Sequence, residues 1–171
     1  MKLLAVIDMQ NDFVTGALGT PQAQAILPAV KKRVEQALAE GAALVFTQDT
    51  HGPQYPETQE GRRLPVPHCI QGTPGWEIVP ALRPYLPKGR IFEKPSFGSW
   101  ELAAYAREKG FDQIEVIGLC TDICVLSNVL LLKAALPEAE ILVDSACCAG
   151  VTPQSHENAL SAMKVCQVTV V

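Results

Sequence analysis

Gly118-Leu119-Cys120-Thr121-Asp122-Ile123-Cys124 follows the apolar run Ile114, Val116 and Ile117 and precedes Val125, Val129, Leu130 and Leu132. The first run suits a buried strand, and the second, free of Gly and Pro, has the spacing of a buried helix. The stretch is therefore a strand-to-helix turn that carries a cysteine. Thr121 and Asp122 are both natural N-cap residues, which places Cys124 in the first helical turn. Unpaired backbone N–H groups and the positive end of the helix dipole favour a thiolate there. Read in isolation, Cys124 could also be a small buried core residue, so the rest of the chain decides.

Upstream, Leu3 to Ile7 is a short aliphatic run that ends in Asp8-Met9-Gln10-Asn11-Asp12-Phe13. This is the pattern of a buried parallel strand emptying into a functional loop, and ligands in open α/β sheets sit beyond such strand ends. Asp8 thus stands where a catalytic carboxylate would stand. Ile26, Val30, Val34, Ala37 and Leu38 recur at helical spacing up to Gly41, giving a helix of three or four turns, and Ala42 to Thr47 reads as the next strand. Trp76, Ile78, Val79 and Leu82 predict a short helix ending by Pro84. Arg90 to Lys94 is a strand whose last residue, Lys94, occupies the same kind of position as Asp8. Ser99 caps a helix with the stripe Leu102, Ala103, Ala106, closed by Lys109-Gly110. A strand Glu140 to Asp144, a helix capped by Thr152 with Pro153 at its first position, and a last strand Val168 to Val171 complete the chain. His156, early in that helix, is expected to be exposed. About six strands alternating with helices predict an α/β fold with a parallel sheet covered on both faces.

The 171 residues suit one globular domain spanning 1–171. Fourteen basic residues against 18 acidic ones, with no basic cluster longer than Lys31-Lys32-Arg33, give no electrostatic footprint for nucleic acid or an anionic membrane. The N-terminal apolar run stops at Asp8 without a cleavage site, and no stretch reaches the roughly 20 apolar residues that span a bilayer. A soluble, cytoplasmic protein is expected. The six cysteines read as reduced thiols, and the adjacent pair Cys147-Cys148 as packing rather than redox chemistry, because neighbours rarely offer disulfide geometry.

Gln48 to Gly75 is a long Pro-, Gly- and Gln-rich segment with almost no periodicity, and a loop of that length is usually functional or disordered. It carries Asp49-x-His51 directly after a strand, and His68 further on. Alternate positions of an extended segment point to one side. A third donor from the loop's return would complete a facial set for a divalent metal, Zn²⁺, Mn²⁺ or Fe²⁺, with positions open to water or substrate. Three strand ends meanwhile carry Asp8, Lys94 and the turn leading to Cys124. A thiol needs a base to take its proton and a cation to stabilise the thiolate, and an aspartate and a lysine supply both.

Asp8-x-Gln10-Asn11-Asp12-Phe13, Lys94 and Gly118-Leu119-Cys120-Thr121-Asp122-x-Cys124-Val125 resemble the signature of the isochorismatase-like cysteine hydrolases, in the same order and across nearly the whole chain. Asp49-x-His51 and His68-Cys69-Ile70-Gln71-Gly72-Thr73-Pro74-Gly75-x-Glu77 resemble the metal-binding segments of the nicotinamidases within that superfamily. The resemblance implies a three-layer α/β/α Rossmann-like fold with a six-stranded, mainly parallel sheet. It implies a divalent metal, zinc foremost, on Asp49, His51 and His68, and hydrolysis of nicotinamide to nicotinate and ammonia through a thioester on Cys124, with Asp8 and Lys94 completing the catalytic set. It further implies a cis peptide between Leu119 and Cys120, with the N–H groups of Cys120 and Cys124 as oxyanion donors. Phe13 and Cys120 would line the substrate site, and the assembly would be a homo-oligomer, a dimer or tetramer. Two positions depart from the pattern. Pro65 stands where these enzymes place a tryptophan, leaving Trp76, Trp100 or Phe97 to compensate, and the segment after Lys94 is short, as in relatives acting on other amides or ureides.

The alternatives are a related cysteine hydrolase for a pyrazinamide-like or N-carbamoyl compound, and a non-catalytic metal or small-molecule binding protein on the same fold. A redox role for Cys120 and Cys124 is disfavoured by their spacing, which is not Cys-x-x-Cys.

Overall fold

The computed structural model describes residues 1–171. Six strands form one sheet in the order β3-β2-β1-β4-β5-β6, and every neighbouring pair is parallel. They are β1 (Lys2–Ile7), β2 (Ala43–Asp49), β3 (Arg90–Lys94), β4 (Gln113–Leu119), β5 (Glu140–Ala149) and β6 (Thr169–Val170). The helices are α1 (Asn11–Val14), α2 (Pro21–Ala39), α3 (Gln59–Arg63), α4 (Trp100–Lys109), α5 (Leu126–Ala135) and α6 (Pro153–Val165). The three-layer α/β architecture read from the sequence is the one observed.

Side chains of a strand alternate between faces, and β1 shows why both faces must be covered. Leu3, Ala5 and Ile7 pack with Leu102, Val129, Leu132, Leu160 and Met163, from α4, α5 and α6. Leu4 and Val6 pack with Ala23, Val30, Val34 and Ala37 of α2, together with Ile78, Val79 and Leu82. A parallel strand buried on both sides has to be apolar throughout, as β1 is. The strand order reverses beside β1, between its β2 and β4 neighbours, so the crevice beyond the carboxyl ends of β1 and β4 is where a ligand is expected.

Several elements differ from the expected ones. Helix α2 starts earlier, because Thr20 caps it by accepting from the Ala23 N–H and Pro21 fits the first turn. Residues 76–82 form no helix. Ile78 pairs with Gln10 in an antiparallel bridge and the Val79 N–H donates to Met9 O, so the chain runs extended over the loop after β1, and a 3₁₀ turn follows only at Arg83–Lys88. The long loop contains a 3₁₀ turn, Tyr55–Glu57, besides α3. Strand β5 continues five residues past Asp144, through Cys147 and Cys148 to Ala149.

At the turn after β4, Thr121 and Asp122 do not cap a helix. The N-cap is Cys120, and Thr121–Val125 is a π-helical turn in which the Val125 N–H reaches back to Cys120 O. Gly118 precedes it with φ +118°, and a Cβ there would lie 2.1 Å from Ile7 O, so the approach of β4 to β1 at this level requires glycine. Gly110, at φ +68° after α4, has open space around it. The two positions separate conformational strain from crowding. Gly110→Ala is expected to cost about 1 kcal/mol, and Gly118→Ala about 2–4 kcal/mol because a clash is added to the strain. Urea denaturation of the two variants measures the difference, and equal costs would contradict the crowding at Gly118.

Candidate active site

Four strand ends deliver the site. Asp8 follows β1, Asp49 ends β2, Lys94 ends β3, and the turn after β4 carries Cys120 and Cys124. Register fixes their spacing, since Asp49 pairs with Lys94 and Ile7 with Gly118. Asp8 sits at φ +45°, a left-handed conformation that turns its carboxylate off the strand line. It is held there because its N–H donates to Thr47 Oγ1 (3.1 Å) and the Thr47 hydroxyl donates to Oδ1 (2.6 Å).

The Lys94 ammonium, almost wholly buried, is the hub. It lies 2.6 Å from Asp8 Oδ2 and 3.2 Å from Asp49 Oδ1, donates to Ser96 O (2.9 Å), and reaches Cys124 Sγ at 3.5 Å. The contact with Asp8 Oδ2 is the shortest of these and pairs the two charges directly. Burial pushes the Cys124 thiol well above its usual range, and the Asp8 charge adds to this more than Lys94 takes away. Burial likewise raises Asp8, although Lys94 opposes it. Lys94 is disfavoured as a cation by burial, yet Asp8, Cys124 and Asp49 together raise it. The lysine is therefore charged, and the resting thiol keeps its proton beside a carboxylate of raised basicity. This corrects the expectation of a thiolate favoured in the first turn of an α-helix: Cys124 instead lies buried in a π-helical turn, and burial raises its thiol.

Asp49, His51 and His68 offer ligand atoms that lie within 4.8 Å of one another, all buried. His51 Nε2 is 2.9 Å and His68 Nε2 3.6 Å from Asp49 Oδ2. His68 Nδ1 pairs with Val66 O, which leaves Nε2 to face the cluster, the usual arrangement behind a metal-bound imidazole. Glu60 Oε1, from α3, stands 3.7 Å from the Nε2 of both histidines. The periodicity-free loop gave no sign of it. Tyr55 was missed too: its fully buried ring packs 4.8 Å from His51 and 5.0 Å from His68. The donor set fits a divalent cation. Asp8, Asp49 and Glu60 bring three carboxylates to one region against the single lysine, and two imidazoles add nitrogen donors.

The motif after β1 holds this loop. Gln10, fully buried, accepts from the Asp49 N–H and donates to the carbonyls of Asp49 and Trp76. Asn11 donates to Pro74 O, and Asp12 accepts from the Cys69 N–H next to His68. Asn128, one turn beyond Cys124, donates to Cys124 O and Phe97 O and accepts from the Ser99 N–H, binding the segment after Lys94 to the nucleophile's helix.

A cavity of about 240 Å³ opens on Cys124, Asp49 and His68 and is otherwise mostly apolar. Phe13 and Cys120 line it, and so do Leu64 and Phe97. Of the three aromatics offered in place of a tryptophan at 65, Phe97 alone reaches the cavity. The Trp76 indole donates to Thr50 Oγ1, and Trp100 is 77% exposed elsewhere. The Leu119–Cys120 peptide is cis, and the Cys120 N–H donates to no group of the chain. The Cys120 thiol is raised to about 12 by burial.

The model of the isochorismatase domain matches residues 2–171. A nicotinamidase/pyrazinamidase of Mycobacterium tuberculosis is 27% identical, the alignment covering 100% of this chain and 98% of that protein. Among solved structures, the pyrazinamidase of Pyrococcus horikoshii in complex with zinc superposes with a TM-score of 0.84 at 28% identity, over 99% of this chain and 98% of that one. The N-carbamoylsarcosine amidase of Thermoplasma acidophilum gives 0.82 at 26%, over 99% and 94%. No helix of this chain is long and apolar enough to cross a membrane. The chain belongs to the isochorismatase family, and it is a hydrolase of amide carbon–nitrogen bonds.

Proposed function

We propose that the protein is a metal-dependent nicotinamidase that works through a thioester on Cys124. The observation that carries this reading is the meeting of Cys124, Asp8 and the Lys94 ammonium beside the Asp49, His51, His68 cluster, with Cys124, Asp49 and His68 lining a mostly apolar cavity. Asp8 takes the thiol proton as Cys124 attacks the amide carbon, and Lys94 holds the charge that passes between them. The unpartnered Cys120 N–H, with that of Cys124, receives the oxyanion. Asp8 returns the proton to the departing ammonia and then draws one from the water that cleaves the thioester.

The metal would be held by Asp49, His51 and His68 with Glu60 beside them. When bound it would supply a Lewis acid for a ring nitrogen and so orient the substrate. Zinc is the metal proposed, since a pyrazinamidase relative is described in complex with it. Phe13 offers the ring an aromatic face, with Leu64 and Phe97 in place of the missing tryptophan. A second reading, hydrolysis of an N-carbamoyl acid, draws support from the Thermoplasma acidophilum relative. The cavity disfavours it, because its lining includes no arginine or lysine and Lys94 is already shared by two carboxylates.

Ammonia release across nicotinamide, pyrazinamide and an N-carbamoyl amino acid is the direct test. The highest kcat/KM is expected for nicotinamide, and turnover confined to the ureide would overturn the substrate assignment. Cys124→Ala and Asp8→Asn are each expected to lower kcat by about a thousandfold or more while the fold persists. A non-catalytic binding protein predicts no amide turnover in any form.

For pH, the sign follows from the raised Asp8. The base form is lost as pH falls through its elevated pKa, so the acid limb of kcat/KM is expected above the ordinary aspartate value of about 3.9. Lys94, raised in turn, contributes no alkaline limb in the physiological range. A pH–rate profile checks both limbs. Removal of metal by chelation is expected to raise KM for nicotinamide at least tenfold, with recovery on adding Zn²⁺. Elemental analysis of His68→Ala is expected to show metal content well below that of the parent.

A further inference from the structure

The third histidine of the chain has no part in the chemistry described so far. The sequence suggested an exposed residue, yet His156 is half-buried and its Nδ1 lies 2.8 Å from the hydroxyl of Thr121, which is fully buried. Thr121 directly follows Cys120, which lines the cavity and whose N–H donates to nothing in the chain. No other side chain hydrogen-bonds the Thr121 hydroxyl.

The element that presents His156 is built for a fixed position. Thr152 and Ser155 form a reciprocal capping box at the start of α6, with Pro153 in its first turn. Gly150 lets that turn close on the end of β5, since a Cβ at Gly150 would stand 2.9 Å from both Cβ and the backbone nitrogen of His156. A second link runs beside the first: the Asp122 carboxylate accepts from the Val151 N–H at 3.2 and 3.3 Å, and Val151 lines the cavity. Two consecutive residues of the nucleophile's turn are thus tied to the start of α6 through side chains, while within the turn the Ile123 and Val125 N–H groups both reach back to Cys120 O.

We propose that His156 is a positioning residue of the hydrolase. Through Thr121 it holds the Cys120–Cys124 turn so that the free Cys120 N–H stays aimed at the developing oxyanion. The inference rests on the reading of Cys124 as the nucleophile. The imidazole works in either tautomer, because a hydroxyl donates to an unprotonated Nδ1 and accepts from a protonated one. An aim that matters only when the carbonyl oxygen becomes an anion is felt in the transition state and not in substrate binding, so the effect belongs to kcat.

The test is steady-state hydrolysis of nicotinamide, or of the fastest amide in the panel above, by the metal-loaded enzyme. His156→Leu keeps the bulk and removes the bond. It is expected to lower kcat about tenfold to a hundredfold, with KM within about twofold of the parent. His156→Asn, whose amide sits near the place of Nδ1, is expected to recover most of that loss. Thr121→Val should lose as much as His156→Leu, while Thr121→Ser keeps activity. The double variant His156→Leu/Thr121→Val should lose no more than either single one, which holds even if both are somewhat less stable, since non-additivity reports the shared bond. Multiplied losses in the double variant, a loss confined to KM, or an unchanged kcat in His156→Leu would each overturn the proposal. Cys124→Ala run alongside separates the two readings. If it retains turnover, the nucleophile assignment fails and this inference with it. If it is inactive while His156→Leu is not, this inference alone fails.

Discussion

A single buried ammonium organises the functional end of the molecule. Lys94 contacts the carboxylates of Asp8 and Asp49, a backbone oxygen and the Cys124 sulfur, all within 3.5 Å and almost out of reach of water. Burying ions costs several kcal/mol each unless geometry and hydrogen bonds compensate, and removing one partner leaves the others stranded. That geometry cannot come from flexible loops. It comes from the parallel sheet, where register sets Asp49 beside Lys94 and Ile7 beside Gly118. The apolar alternation that pins β1 between two helical layers thus also fixes the distances of the charged groups at its end.

The same lysine joins two sites that the sequence presents as separate. Asp49 faces the ammonium with Oδ1 and the histidines with Oδ2, so one carboxylate is shared between the proposed nucleophile's cluster and the proposed metal cluster. The ring that would be oriented by a metal and the carbonyl that would be attacked are then referenced to one rigid group. The loop carrying His51, Glu60 and His68 reaches this register because Gln10, Asn11 and Asp12 spend their side chains on its backbone. The six residues after β1 therefore act as the frame for the loop as much as a source of chemistry.

The sequence made the sheet and the charged cluster legible because Leu3–Ile7 and Ala42–Phe46 are short apolar runs that end at polar groups, Ile91 and Phe92 lead into Lys94, and Ile114, Val116 and Ile117 lead into the turn that carries Cys124. It failed where a tertiary contact outbid a local preference. Thr121 looks like an N-cap, but its hydroxyl is taken by His156, thirty-five residues away. Residues 76–82 have helical spacing, but the backbone of Val79 and Ile78 is claimed by Met9 and Gln10. Glu60 and Tyr55 lie in a segment without period, where no one-dimensional signal marks which side chain turns inward. The low-pKa thiolate expected of Cys124 fails on burial, which spacing alone does not reveal.

That last correction bears on how such a site can work. A thiol kept neutral beside a raised aspartate is a poor nucleophile until its proton moves, and in the proposed mechanism the move coincides with attack. Before attack, Lys94 balances the charge on Asp8. As the thiol proton passes to Asp8, the negative charge passes to sulfur and then to the substrate oxygen, with the ammonium within 3.5 Å of the sulfur. Net charge in the buried cluster stays constant along this path, so no step requires an extra ion to be desolvated. A neutral amide suits a site organised in this way. An anionic substrate would add a charge to a cluster whose one cation already serves two carboxylates.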